Sequence, residues 1–450
     1  MASAAEQLAK NLSWSSFAKA TELQKRILFT LTALVVYRLG TYIPIPGVNP
    51  EVFAQAFQGA AGNVLGMFNV FSGGAVERLG IFALNVMPYI SASIIIQLMT
   101  TASPTLERLK KEGEQGRKQI NQYTRYLTLA LAMVQSYAVA LGLQGQAGVV
   151  SNPGILFVFS TVVTLVGGTM FLMWLGERVT ARGVGNGISL IIFAGIVAEL
   201  PRAMFQVLDS ARVGTMNGFF LLVIGLVAVA TIVFIVFMER SQRRLLVQYP
   251  KRQMGNRMFQ GDTSFLPLKI NTAGVIPPIF ASSLLLLPGT LATFGAGAGP
   301  EWMQAVAVQL GHGRPLFMIL YATFIIFFCF FYTSVVFNPE DTADNLRKHG
   351  GFLPGIRPGK KTAEYIDYVL TRLTAIGAVY IAFVCLLPEF LMSQSNVPTM
   401  LVGFLGGTSI LIVVSVTLDT VTQVQSHLLA HQYEGLIKKT KLKGGRGRPG

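Results

Sequence analysis

Ten runs of roughly 20 predominantly apolar residues recur along this chain, and no water-soluble fold can bury that many. They fall at about 27–43, 79–100, 126–143, 155–176, 186–204, 218–238, 272–291, 316–337, 373–392 and 400–421. A hydrocarbon core of ~30 Å is crossed by about 20 apolar residues in a helix. Backbone groups in lipid must bond internally, so such runs are helices; the alternating pattern of a membrane barrel is absent. Composition agrees. Of 450 residues, 52% are hydrophobic and 13% charged, about half the ~25% charge of soluble domains. The expected fold class is an all-α polytopic membrane protein with ten transmembrane helices.

Charge sets the expected orientation. The chain carries 36 Lys+Arg against 21 Asp+Glu, a net +15. Of these cations, 31 lie on one side of the runs and only Arg78, Arg202, Arg212 and Arg314 at or beyond their other ends, with Arg38 inside the first run. Cytoplasmic segments hold the Lys/Arg excess, so both termini are expected in the cytoplasm, and an even number of spans agrees. The polar segment 1–26 lacks the apolar core of a cleaved signal peptide. The first run is therefore expected to remain as a span.

The spans lack the chemistry of two competing classes. Coupled transporters place ionisable groups at mid-membrane; here Glu177, Glu199, Glu389 and Asp419 sit at run ends. Asn85, Gln97 and Gln135 lie within runs and suit hydrogen bonds between helices. No catalytic constellation is evident, so no catalytic residue, metal or cofactor is expected. His427 and His431 are spaced i,i+4 without an acidic or cysteine partner and read as a helix surface. Cys329 and Cys385 lie in apolar runs without CxxC spacing. RGVGNG (182–187) follows a membrane helix rather than a strand, and so reads as a tight turn and not as a phosphate loop.

Residues 44–100 break the regular pattern. Pro44, Pro46 and Pro50 end the first run, and an apolar stretch from Asn63 to Phe71 is too short to span. Ser72-Gly73-Gly74 interrupts it and Glu77-Arg78 closes it. Two readings stay open: a helix lying in the membrane interface, or a re-entrant segment buried in protein. On the basic side, loop 239–271 alternates apolar and polar residues around Leu245–Tyr249 and carries Pro-Lys-Arg beyond them, which predicts a protruding hairpin with cations at its end. Loop 338–372 contains GGFLPGIRPGKK, a rigid turn bearing Arg357. Such loops suit RNA phosphate or an acidic protein. The tail KKTKLKGGRGRPG is expected to be disordered and to touch anionic lipid or nucleic acid.

These motifs together resemble the SecY family, the channel subunits of the bacterial protein-export translocase. The matching segments include YIPIPG (42–47), MFNVFSGG (67–74), MPYISASIIIQL (87–98), KKEGEQGR (110–117), RGVGNGISL (182–190), QRRLLVQYPKRQ (242–253), AGVIPPIFASS (273–283), FNPEDTADNL (337–346), PGIRPG (354–359) and GGTSILIVV (406–414), in family order over nearly the whole chain.

The resemblance implies a channel of the bacterial inner membrane that passes unfolded secretory chains and releases hydrophobic segments sideways into lipid. It implies two inverted halves, 27–204 and 218–421, joined by an outer hinge loop 205–217 and flanked by segments 1–26 and 422–450. It implies a pore ring of Val86, Ile90, Ile188, Ile192, Ile279 and Ile412. A re-entrant plug, 63–76, would include Val64, Leu65, Met67, Phe68, Asn69, Phe71, Ser72 and Gly73. A lateral gate would lie between the helices beginning at Leu79 and Thr272, with Ser91, Gln97, Ser282 and Ser283 at the seam. Partners would dock on Lys251, Arg252, Arg257 and Arg357. Those partners would be the small membrane subunits SecE and SecG, the SecA motor ATPase, the ribosome, and the signal sequences and nascent chains in transit, with membrane lipids around the whole. Asn256 stands where the family pattern leads us to expect an arginine, and Val86 where it leads us to expect isoleucine.

Overall fold

The computed structural model describes residues 21–53, 69–145, 148–212, 218–250, 252–254, 257–259, 263–294, 309, 314–394 and 407–444. Ten long helices carry the ten apolar runs: α1 (Thr21–Gly40), α2 (Met87–Ala102), α4 (Glu114–Gln144), α5 (Ile155–Arg182), α6 (Gly187–Arg212), α7 (Gly218–Arg240), α8 (Ile276–Phe294), α9 (Pro315–Val336), α11 (Lys360–Gln394) and α12 (Gly407–Gly444). Two short polar helices, α3 (Pro104–Lys111) and α10 (Pro339–Lys348), lie between them. Proline opens α2, α9 and α10, where its missing N–H costs no helical bond. Asn338 caps α10 by accepting from the Glu340 amide at 3.0 Å.

The helices expose large apolar side chains outward, and one of them buries small and polar residues against its neighbours. On α4, Thr124, Thr128, Ala132, Ser136 and Ala140 form a buried stripe at four-residue spacing. The opposite face shows Met133, Val134, Tyr137 and Leu141. Small residues let helix backbones approach where lipid removes the hydrophobic drive for association. Among the described helices, α4, α5, α6, α9, α11 and α12 are long and apolar enough to cross a membrane on their own. The chain is a multi-pass membrane protein.

Packing repeats along the chain. Helix α4 packs on α2 and on α5, and α5 on α6; correspondingly α9 packs on α8 and on α11, and α11 on α12. Contacts of α8 with α2 and α4, and of α6 and α1 with α12, join the two sets.

Several boundaries differ from the sequence reading. The second helix starts at Met87, not Leu79, because residues 72–86 form consecutive turns. Leu79 and Asn85 adopt positive φ of 46° and 48°, which no helix contains. The segment satisfies its backbone elsewhere: Ile45 N–H donates to Leu79 O at 2.8 Å and Ile81 N–H to Ile43 O at 2.9 Å. Non-helical backbone is allowed at this depth because protein surrounds it. It passes so close to α5 that a Cβ on Gly168 would stand 2.1 Å from Ile81 O. Helix α6 continues beyond 204 to Arg212, through Pro201. Helix α12 runs to Gly444, so the lysine-rich tail expected to be disordered is helical that far; lysine is a good helix former.

Candidate functional site

The basic side carries two hairpins in series. Strands β1 (Gln242–Gln248) and β4 (Thr263–Lys269) pair antiparallel, and beyond them β2 (Arg252–Met254) pairs with β3 (Arg257–Phe259). The predicted hairpin is therefore present, but it continues past Pro-Lys-Arg, and Arg252 lies opposite Phe259 rather than at the reversal. Lys251 lies outside the described residues. Loop 338–372 joins this sheet: Gln248 and Phe352 exchange two backbone hydrogen bonds, each 2.9 Å. A small core of Leu245, Val247, Leu268, Leu353 and Ile366 lies beneath. The two basic loops are thus one folded unit. Arg357 is exposed and forms no ion pair among the described residues, while its carbonyl accepts from Thr362 Oγ1 at 3.0 Å. Nearby Lys361 bonds Glu364 at 2.8 Å, which holds the ammonium above its ordinary pKa and the carboxyl below.

All six predicted aliphatic positions fall within or against the main apolar core, which runs through most of the helices. Val86 (at the start of α2), Ile90, Ile192, Ile279 and Ile412 are buried in one apolar cluster, and half-buried Ile188 packs against it. They come from α2, α6, α8 and α12, and so from both packing sets. Immediately on the basic side is a cavity of about 230 Å³ lined by Ser189, Ile276 and Ser415 among others. Each of these sits within a turn of a cluster member: Ile192, Ile279 and Ile412 respectively.

On the other side lies the short interrupted segment. Val64, Leu65, Met67 and Phe68 fall outside the described residues. Asn69, Phe71 and Ser72 are buried, at 5%, 2% and 1% exposure, which favours burial in protein over an interfacial helix. Tyr37 donates to Ser72 O at 3.1 Å, Arg38 to Gly73 O at 2.5 Å, and Asn85 to Phe71 O at 2.7 Å. Asn85, read as a partner for another helix, instead holds this segment beside Val86. At Gly195 an added Cβ would stand 2.6 Å from Phe71 O, so only glycine admits the segment this close to α6. One helix therefore carries three levels in order: Ser189 at the cavity, Ile192 in the apolar cluster, Gly195 under the short segment. At 1.5 Å rise per residue these lie about 5 Å apart.

A half-buried ionic lattice, which the sequence did not disclose, fastens that segment. Glu199 was placed at a run end, yet it lies inside α6 and is 2% exposed. Its carboxylate faces Arg38 and Arg78, each at 3.5 Å, and Arg202 at 3.9 Å. Arg202 also grips Glu77. Asn69 binds Glu77 twice: its amide donates to Oε2 at 3.3 Å, and its oxygen accepts from the Glu77 N–H at 2.9 Å. Arg38 and Arg78 stack on the Tyr42 ring at 4.8 and 4.4 Å. Three cations thus surround two carboxylates at one depth.

At the predicted seam, α2 packs directly on α8. Ser282 and Ser283 are buried but donate to Ile279 O in their own helix, at 2.9 and 2.7 Å. Ser283 also reaches across to Met87 Sδ at 3.6 Å. Ser91 is buried, and Gln97 Oε1 has no hydrogen-bond partner among the described residues. The seam is thus held by apolar packing with one weak polar contact. RGVGNG is the tight turn expected between α5 and α6; its Gly185 N–H donates to Gln423 of α12 at 2.8 Å.

A family model described as SecY matches residues 80–421. The Protein translocase subunit SecY of Pseudomonas aeruginosa is 56% identical over 425 residues, covering 94% of this chain and 95% of that relative. Two solved channels have a similar fold. One is a SecY whose plug domain is described as stabilising the closed state of the translocation channel and maintaining a membrane seal; its TM-score is 0.62 at 19% identity, over 90% of this chain and 92% of that one. The other is Sec61 in the canine ribosome–channel complex from the endoplasmic reticulum, with a TM-score of 0.61 at 17% identity over the same shares.

Proposed function

Because the chain belongs to the SecY family, we propose that it is the central protein-conducting channel of a bacterial translocase, passing unfolded polypeptides across the membrane and releasing apolar segments sideways into lipid. The observation that carries this is the order along α6 of cavity, apolar cluster and buried short segment. We assign the cluster as a collar. A narrow ring of aliphatic side chains excludes water and hence ions. It offers a passing chain no polar partner to hold it, and it deforms easily because its contacts are non-directional.

The segment around 69–76 is the end of a plug that closes the funnel beyond the collar. Its displacement clears the route. The α2–α8 seam is the side exit, where a sufficiently apolar segment replaces apolar contacts with its own. The basic loop unit faces the cytoplasm of a bacterial inner-membrane protein and receives SecA and the ribosome through Arg252, Arg257 and Arg357, with Lys251 beside them. Driving force comes from these partners. SecE and SecG complete the membrane assembly.

The test is a stalled precursor carrying photo-reactive residues in mid-chain. Crosslinks to Val86, Ile192, Ile279 and Ile412 during transport are expected. A precursor that crosses while never labelling these positions refutes the collar.

A further inference from the structure

We infer that the cavity on the basic side of the collar seats a cationic side chain, lysine or arginine, of the entering polypeptide. This rests on the channel reading and goes beyond it by assigning a subsite.

The cavity, of about 230 Å³, is lined by Glu239, Lys269, Asn271, Ser415 and Asp419 among other polar and apolar residues. That far exceeds the ~10–15 Å³ that one water needs. Two carboxylates face one ammonium. Among the described residues Glu239 forms no ion pair; its Oε1 accepts from Asn271 Nδ2 at 2.6 Å. Asn271 is fully engaged, since its Oδ1 accepts from Gly274 N–H at 3.0 Å. It therefore fixes the carboxylate without neutralising it. Among the described residues Asp419 pairs with Lys269 alone, at 3.9 Å, and both side chains are more than half exposed. Such a pair is loose and readily displaced.

Ser415 supplies the independent sign of a ligand. It is 4% exposed, lines the cavity, and its Oγ has no hydrogen-bond partner among the described residues. Buried hydroxyls are normally satisfied. Two carboxylates and a hydroxyl can all accept from an ammonium or guanidinium, which has donors and no acceptor. A metal ion is a poorer match, since no group of three His, Cys, Asp or Glu able to hold one occurs among the described residues. Placement suits a passing chain, since Ser415 lies one turn from Ile412 of the collar.

The test uses the channel with its motor in vesicles and two precursors that differ only in three lysines or three glutamines ahead of the apolar segment. The expected preference for the lysine form is about fivefold, the worth of a solvent-accessible charge pair. It falls toward unity in E239Q/D419N. S415A, which alters no charge, is expected to lower it about twofold and decides the matter if the double variant does not assemble. Equal preference in wild type and S415A overturns the subsite. If the wild type transports neither precursor, the channel reading itself falls, and this assignment with it.

Discussion

Arg202 grips Glu77 through two parallel hydrogen bonds, Nη1 to Oε2 and Nη2 to Oε1, both 2.8 Å. The residues are 125 positions apart, one on α6 and the other on the chain that follows the buried short segment. The pair is bidentate, the strongest geometry available to these groups. Its side chains are 40% and 12% exposed, so its worth lies between the ~0–1 kcal/mol of a surface pair and the ~3–5 kcal/mol lost when a buried one is broken. Glu77→Gln should loosen the plug and raise resting ion conductance several-fold in planar bilayers. The charge swap E77R/R202E should restore the seal at least in part. Flat conductance in the single variant would show that the pair does not hold the plug.

Gly195 tests the same closure without touching charge. Alanine would improve the intrinsic helix propensity of α6 by about 1 kcal/mol. Its methyl, however, would press on Phe71 O, and the backbone there cannot swing aside as a side chain can. Gly195→Ala should therefore raise resting conductance while leaving the thermal unfolding midpoint unchanged or higher. A drop in midpoint with an intact seal would contradict the close-approach account.

The spans, the basic hairpin and the turn at 182–187 were legible because length, alternation and glycine spacing are local signals. The return from the short segment to α2 was not. Its residues 79–86 are as apolar as a span, and composition does not separate a buried coil from a helix. The positive φ of Leu79 and Asn85 is imposed by packing against residues 43–45 and α5. The ionic lattice escaped for another reason. Glu199 and Arg202 are visibly i,i+3, but their partners Arg38, Glu77 and Arg78 lie far away in sequence, and only the fold brings them to one depth. The six aliphatic positions proposed as a collar are likewise invisible to periodicity, since any isoleucine in a membrane helix looks alike; family motifs selected them.

Ile192 and Ile279 are 2% and 7% exposed. An asparagine at either site puts an amide where no partner waits, at a cost of about 1–3 kcal/mol, and water entering with it relieves that cost. Ile192→Asn and Ile279→Asn should each increase ion leak and let precursors with defective signal sequences pass. Unchanged leak and unchanged rejection of such precursors would remove these residues from the collar.

Arg357 separates docking from folding. It is exposed and lacks an ion-pair partner among the described residues, so its replacement should change stability by less than about 0.5 kcal/mol. Arg357→Glu reverses the charge on a loop that Gln248 and Phe352 hold rigidly against the hairpin. An acidic or phosphate-bearing partner would meet repulsion where it had attraction, and the loss should grow as salt is lowered. Motor-driven transport in vesicles should fall tenfold or more, about 1.4 kcal/mol of lost contact, while resting conductance and unfolding midpoint stay at wild-type values. Normal transport at low salt would place the docking contact elsewhere on the basic unit.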